Sequence, residues 1–149
     1  MPFSKIVVAV DGSESSNKVY DLAAQLTKLS NGKLIIIHVV MSPLPVGGGG
    51  GMFYTDASSI DKLRIDMEEA GRILLQNYSE KSTNEYKIPV ETILTRGSPA
   101  DVIIREANER GAELIVVGSR GFSSAKHFFI GSVPNSVLHH SSIPVLLVK

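Results

Sequence analysis

Five short apolar runs rich in β-branched residues alternate with longer segments of helical periodicity along the chain. These runs cover residues 6–10, 34–40, 90–94, 114–117 and 145–148. Runs that are apolar on both faces suit strands covered on both sides, as in parallel sheets. The alternation therefore predicts a three-layer α/β/α sandwich with a five-stranded, parallel, doubly wound sheet. The expected strand order is 3-2-1-4-5.

Between these runs, apolar residues recur at the spacing of one helical face. Residues 19–29 carry this pattern after the first run, and residues 60–74 carry it after the second. A third helix is expected to follow Ser98, a residue type that caps helices, and to end at Gly111. A short fourth helix is expected to begin near Ser132.

The composition limits the classes of partner. The 149 residues favour a single domain over 1–149, and the formal net charge is zero with a pI of about 6.9. This balance argues against a broad surface for nucleic acid or for an anionic membrane. Cysteine is absent, so there is no disulfide, thiolate metal site or cysteine nucleophile. No run approaches the roughly 18 apolar residues of a membrane span. The chain also starts without a signal-peptide pattern, and a cytoplasmic location is expected.

One segment has a composition unlike the rest. Residues 42–56 include two prolines and five consecutive glycines at 47–51, which predicts a flexible loop without regular structure. Because it directly follows the second predicted strand, it could serve as a lid over a site. The alternative is a long connection with no further role.

Two predicted strands end in residues suited to a binding site. Asp11 follows the first strand and Gly118 ends the fourth. In strand order 3-2-1-4-5 these strands are neighbours whose connections leave in opposite directions. Ligands of such sheets bind at this switch point, outside the carboxyl ends of the strands. The two residues therefore predict one crevice.

The segment after the fourth strand carries a glycine pattern suited to phosphate. Gly118, Gly121 and Gly131 precede Ser132, where a helix is expected to start. Glycine permits positive φ and lets a ligand approach the backbone closely. Main-chain N–H groups and a helix N-terminus then favour an anion. Positive side chains in the same loop could balance phosphate charge: Arg120, Lys126 and His127.

The spacing G-x2-G-x9-G-[S/T] resembles the nucleotide-binding signature of the universal stress protein family. Further similarity lies in Asp11-Gly12-Ser13 after the first strand, in His38-Val39 on the second, and in the ending at residues 142–148. The resemblance covers the whole chain. It implies an adenine nucleotide alpha hydrolase-like fold and the binding of ATP, or of AMP or ADP, with or without a magnesium ion.

The resemblance also implies which residues contact the nucleotide. The adenine is expected on Ala9 and near the main chain of Val39, and Asp11 is expected to face the ribose or a metal ion. The remaining positions border the ribose and phosphates. The full implied set is Ala9, Val10, Asp11, Val39, Gly118, Arg120, Gly121, Gly131, Ser132, Val133 and Pro134. Pro134 offers no N–H, and Ala9 replaces a proline of some nucleotide binders, which leaves the number of bound phosphates open.

Structural roles compete with these functional ones. The glycines could serve tight turns and close packing, and Asp11 could cap the first helix. His38 is expected to be a strand-end histidine with a satisfied hydrogen bond, not a ligand. His139 and His140 are expected at a helix C-terminus, where positive charge is favourable. The sequence shows no cluster with the spacing of metal ligands.

Three classes of function remain open at this stage. The first is a nucleotide-responsive regulatory protein, the second is a slow ATPase or nucleotidyl-transfer enzyme, and the third is a scaffold with an empty loop. The chain has neither a G-x-x-x-x-G-K-[ST] motif nor an evident acidic pair for magnesium, which favours binding over efficient hydrolysis. An apolar edge strand at residues 145–148 invites pairing with a second copy, and family members commonly dimerise there, so a homodimer is expected.

Overall fold

Five parallel strands form one sheet in the computed structural model, which describes residues 3–41, 57–120 and 130–149. The strands are β1 (Lys5–Ala9), β2 (Lys33–Val40), β3 (Val90–Arg96), β4 (Leu114–Gly118) and β5 (Val145–Val148). Their order is β3-β2-β1-β4-β5, and each neighbouring pair is parallel. The predicted architecture and strand order are confirmed.

Four α-helices connect the strands: α1 (Glu14–Leu29), α2 (Ala57–Lys81), α3 (Pro99–Glu109) and α4 (Ser132–His140). The sequence pattern did not predict that α2 continues into a five-residue π-helical segment, Ser82–Tyr86. Ser98 stands at the N-cap of α3 as expected, but its side chain makes no capping hydrogen bond. The predicted loop at 42–56 lies outside the described residues.

Each face of the sheet is covered by a pair of helices. On one face, α1 and α2 bury Tyr20 and Leu75 against a core that includes Ile6 of β1. On the other face, α3 and α4 bury Ile103 and Val137 against a core that includes the next strand residue, Val7. Successive side chains of a strand point to opposite faces, so a fully buried β1 must be apolar at every central position.

Helix α2 approaches the sheet closely at a glycine. The Gly71 backbone lies against the imidazole of His38 and the side chain of Leu94. The imidazole is held in place because its Nδ1–H donates a 2.8 Å hydrogen bond to the carbonyl oxygen of Val10. His38 therefore has the satisfied structural role expected of it, and it ties the end of β2 to the residue that follows β1.

Gly71→Ala tests this close approach. A methyl group there would lie 2.8 Å from His38 Cδ2 and 2.8 Å from Leu94 Cδ1. We expect a loss of about 1–3 kcal/mol in the free energy of unfolding, measured by denaturant titration. Helix propensity alone would give the opposite sign, a gain of about 1 kcal/mol. The neighbouring exposed change Ala70→Gly is the control, since it reports propensity without a clash. A stabilised Gly71→Ala variant would contradict the packing.

Candidate functional site

The carboxyl ends of β1 and β4 lie side by side at the centre of the sheet. Val8 of β1 is aligned with Val116 of β4, and continuing this register by two residues brings Val10 level with Gly118. The two strands predicted to form the crevice are thus adjacent, as the strand order requires. Asp11 and the start of the glycine segment follow from this common edge.

A main-chain hydrogen bond brings the two halves of the glycine segment together. The amide of Gly131 donates to the carbonyl oxygen of Ser119 at 2.9 Å, and the amide of Ser119 donates to Val148 of β5 at 2.8 Å. We call the Gly131–Ser119 bond the loop clasp. It holds the start of α4 against the end of β4, although eleven residues separate these points in sequence.

The first turn of α4 presents a small number of main-chain donors. Gly131 is the N-cap, and its N–H is used by the loop clasp. Ser132 and Val133 stand in the first turn, where a helix offers their amides no acceptor of its own. Pro134 has no N–H, and the amide of Asn135 already donates to Gly131 at 3.0 Å. Among the described residues no main-chain acceptor is found for the amides of Ser132 and Val133, so these two amides can be offered to an anion.

Gly118 and Gly131 do not have positive φ. Gly131 has φ −59, and the glycines with positive φ among the described residues are Gly12, Gly97 and Gly111. The expectation that unusual backbone dihedrals explain the glycine pattern is wrong at Gly118 and Gly131. Close packing explains Gly118, because an added Cβ would lie 2.9 Å from Val19 Cγ2 of α1. At Gly131 an added Cβ would meet its nearest atoms at 3.5–3.6 Å, an ordinary contact distance.

Asp11 forms a tight turn between β1 and α1. Its Oδ1 accepts hydrogen bonds from the amide of Ser13 at 2.9 Å and from the Ser13 hydroxyl at 2.6 Å. Gly12, with φ +84, completes the turn. The aspartate thus binds the N-cap residue of α1 through one oxygen, as in an Asx turn. In the part of the chain that the structure describes, Oδ2 accepts no hydrogen bond.

Beside this turn lies a half-buried apolar surface. Ala9, Val39 and Val133 all pack against the core cluster under α3 and α4. Val10 belongs to the opposite cluster, under α1 and α2, so its side chain points away from this surface. Its main chain is also engaged, through an N–H donated to Ile37 at 2.9 Å and through the bond from His38.

The whole chain matches one family of proteins. The sequence profile of the Universal stress protein family covers residues 2–149. A relative from Bacillus subtilis (strain 168), Universal stress protein YxiE, is 38% identical over 148 residues, which are 99% of this chain and 99% of the relative. The chain belongs to the universal stress protein family.

Solved structures of the family share this fold. A universal stress protein in complex with cAMP has a TM-score of 0.73 at 26% identity, over 100% of this chain and 98% of its own. The universal stress protein from Archaeoglobus fulgidus in complex with dAMP has a TM-score of 0.66 at 25% identity, over 100% of both chains. Both likenesses extend over the whole of this chain, so they concern the complete fold described above.

Part of the predicted site lies outside the described residues. This part contains Gly121 and the basic residues of 121–129, whereas Arg120 is described and exposed. Within residues 3–41, 57–120 and 130–149, no group of three or more histidine, aspartate or glutamate side chains is placed to hold a metal ion. The helices of these same ranges include none long and apolar enough to cross a membrane.

Sequence reasoning missed one residue next to Asp11. The amide of Asp11 donates to Ser16 Oγ at 3.2 Å, and Ser16 is only 4% exposed. A serine in the first turn of a helix could have suggested this contact.

Alanine substitutions at the two glycines separate packing from ligand approach. Gly118→Ala is expected to lower the free energy of unfolding by about 1–3 kcal/mol, because its methyl group overlaps Val19. Gly131→Ala is expected to leave that free energy within about 0.5 kcal/mol, since its dihedrals and surroundings accept a methyl group. Denaturant titration of both variants checks this. Equal effects would show that the packing at Gly118 is misassigned.

Proposed function

We propose that this chain binds an adenine nucleotide across the carboxyl ends of β1 and β4 and acts as a nucleotide-responsive regulatory protein in the stress response. The observation that carries the proposal is the start of α4. There, the amides of Ser132 and Val133 lack an intrahelical acceptor, and the loop clasp holds them beside the end of β4. Main-chain amides at a helix N-terminus favour a phosphate group both by hydrogen bonding and by the helix dipole.

The proposed arrangement assigns each part of the nucleotide to a different surface. The base packs on Ala9 and Val39, beside the main chain of Val10, because these positions border a half-buried apolar surface. The ribose faces Asp11, whose Oδ2 can accept from a hydroxyl group or bind a magnesium ion carried by the phosphates. The remaining residues are assigned to the phosphates and to the adjoining side of the ribose: Gly118, Arg120, Gly121, Gly131, Ser132, Val133 and Pro134.

The ligand class is supported by the neighbours. The two solved relatives are complexes with cAMP and with dAMP, both of which are adenine nucleotides with one phosphate. In the proposal, the ligand of this chain is ATP, ADP or AMP, the protein is a single domain over residues 1–149, and its location is the cytoplasm. Since the described part of the α4 start offers an anion the two amides of Ser132 and Val133, further phosphates would depend on side chains such as that of Arg120.

The direct test is the identification and titration of the ligand. Nucleotide released from gently purified protein is identified by mass spectrometry, and the emptied protein is titrated calorimetrically with ATP, ADP, AMP and cAMP. Saturable binding of one or more of these is expected. Binding of none of them would replace the proposal with an interaction scaffold whose glycine segment carries no nucleotide.

Gly131→Ala gives a residue-level test that does not disturb the fold. Its methyl group fits the protein itself, but it would stand where a phosphate approaches the start of α4. We expect the dissociation constant to rise by about tenfold or more, equivalent to about 1.4 kcal/mol, in calorimetric titration with unchanged unfolding. The matched control is Ser142→Ala, an exposed change beyond the C-terminus of α4. Wild-type affinity in Gly131→Ala would place the phosphates elsewhere.

The proposal includes a homodimer that forms through β5. This strand ends the sheet, with β4 as its one neighbour. Pro144 and Val148 direct their carbonyl oxygens to β4, at 2.9 Å from the amide of Ile115 and 2.8 Å from that of Ser119. Because main-chain groups alternate in direction along a strand, those of Val145 and Leu147 face the open edge and can pair with a second copy.

Leu147→Pro tests this edge, because proline removes the outward N–H, which an edge strand does not need for its own sheet. We expect the dimer to dissociate at least about tenfold more readily, by sedimentation velocity over a concentration series. Leu147→Ala keeps the N–H and is expected to remain dimeric. A wild-type protein that sediments as a monomer across the series would contradict the proposed dimer.

A further inference from the structure

The ladder of main-chain hydrogen bonds between β1 and β2 stops one bond early. The paired residues end at Ala9 and Ile37, and one more bond runs from the amide of Val10 to the carbonyl oxygen of Ile37 at 2.9 Å. In a parallel ladder, a residue that donates to one residue of the neighbouring strand accepts from the residue two places further on. The expected donor to Val10 is therefore Val39. Among the described residues, the amide of Val39 does not make this bond.

A side chain of β2 takes the place of the missing donor. The Nδ1 atom of His38 lies 2.8 Å from the carbonyl oxygen of Val10. That oxygen can only accept, so Nδ1 must carry the hydrogen. The opposite edge of the ring, Cδ2 and Nε2, lies against the backbone of Gly71 on α2. Helix α2 thus limits the space into which the imidazole could turn away from Val10.

The other polar atom of the same peptide unit is also held by a side chain. The carbonyl group of Val10 and the N–H of Asp11 belong to one peptide unit, and this N–H donates to Ser16 Oγ at 3.2 Å. Ser16 is only 4% exposed. Gly12, with φ +84, then turns the chain toward α1. The last peptide unit of β1 is therefore bonded to side chains from β2 and α1, and the ladder does not continue past it.

This early end leaves the main chain of Val39 unpaired. Main-chain groups alternate in direction along a strand, and the carbonyl oxygen of Ile37 faces β1. The N–H and C=O of Val39 face the same way, beyond the point where the ladder ends. Within residues 3–41, 57–120 and 130–149, neither group has a partner on that side. Half-buried Val39 thus presents one donor and one acceptor to the crevice.

A donor beside an acceptor matches one edge of adenine. Adenine carries the acceptor N1 next to the amino donor N6, so the N–H of Val39 can donate to N1 while its C=O accepts from N6. Hypoxanthine has the same ring system but carries N1–H and a carbonyl oxygen at these positions, which reverses both roles. A site with this main-chain pair would therefore reject hypoxanthine, because its polar groups would be left unpaired.

We infer that His38 is a positioning residue that sets base specificity. By occupying the carbonyl oxygen of Val10, its imidazole keeps the Val39 amide out of the ladder and available to a base. The reading of a base by Val39 rests on the proposed function. The interruption of the ladder does not, because it concerns the protein without ligand. His38 then acts on the site through Val10 and Val39 and contacts no nucleotide itself.

Three variants separate this role from a general one in stability. His38→Leu removes the donor and keeps an apolar side chain against α2, so the oxygen of Val10 is expected to accept from Val39. His38→Asn is expected to rescue, because it places an amide N–H where the imidazole carries Nδ1–H. His140→Leu is the matched control. The Nδ1 atom of His140 also bonds a main-chain carbonyl oxygen, that of Ser136 at 2.9 Å, but at the exposed end of α4.

The first measurement is hydrogen exchange of main-chain amides, by NMR, in nucleotide-free protein. In the wild type, we expect the Val39 amide to exchange at least about tenfold faster than that of Ile37, which lies within the ladder. His38→Leu is expected to slow Val39 exchange by about tenfold, whereas His38→Asn and His140→Leu keep the wild-type rate. Equal protection of Val39 and Ile37 in the wild type would overturn the inference, and so would an unchanged Val39 rate in His38→Leu.

Nitrogen chemical shifts of the His38 ring give a check that needs no variant. A neutral imidazole in water prefers its hydrogen on Nε2, whereas the bond to Val10 requires it on Nδ1. We expect the Nδ1–H form in the wild type. A ring with its hydrogen on Nε2 alone would overturn the inference even if His38→Leu fails to fold.

The second measurement is calorimetric titration with ATP and with ITP, the hypoxanthine analogue. We expect the wild type, His38→Asn and His140→Leu to bind ATP at least about tenfold more tightly than ITP. In His38→Leu the dissociation constant for ATP is expected to rise by about tenfold, which brings the two affinities close together. Equal affinities in the wild type would overturn the reading of the base by Val39, and full discrimination in His38→Leu would overturn the role of His38. If the wild type binds neither nucleotide, the proposed function fails, and the exchange rates still decide whether His38 interrupts the ladder.

Discussion

The central constraint of this protein is the complete burial of three consecutive residues in its middle strand. Ile6, Val7 and Val8 of β1 are 0% exposed, so the sheet must be covered on both faces and β1 must have neighbours on both sides. Parallel strands satisfy this requirement when crossover helices connect them. Each crossover returns the chain to the edge where the strands begin, so all strands end at the opposite edge. Asp11 and the end of β4 are neighbours for this reason, and the edge that carries the candidate site follows from the way the core is closed.

The fold could be predicted because its determinants are local and repeated. Four of the strands contain an unbroken run of four apolar residues, and β3 alternates in part. The turn after β1 and the end of α3 are marked by Gly12 and Gly111, which both have positive φ. The π-helical segment after α2 had no such signal. It contains the buried Ser82, whose hydroxyl bonds the carbonyl oxygen of Tyr78 and the hydroxyl of Tyr20 at 2.7 Å. These contacts depend on how α2 packs on α1, and residue order does not reveal them.

The site was predictable in outline and less so in its physical reasons. The strand ends and the helix start were expected to meet, and the bond between Gly131 and Ser119 joins them. Dihedral freedom was the wrong reason for two of the glycines, since Gly118 is required by the packing of Val19. Sequence alone cannot distinguish a glycine required by a positive φ from one required by close packing, because both requirements appear in the sequence simply as glycine.

The loop clasp separates the number of residues between Ser119 and Gly131 from the geometry of the candidate site. Because this hydrogen bond joins the end of β4 directly to the start of α4, an insertion or deletion between the two residues need not alter the contact. The strand end and the helix start would keep their positions through such changes. Evolution can therefore exchange the chemical groups carried by this segment while the main-chain donors of α4 stay where they are. Relatives built on the same scaffold could in this way come to recognise different anions.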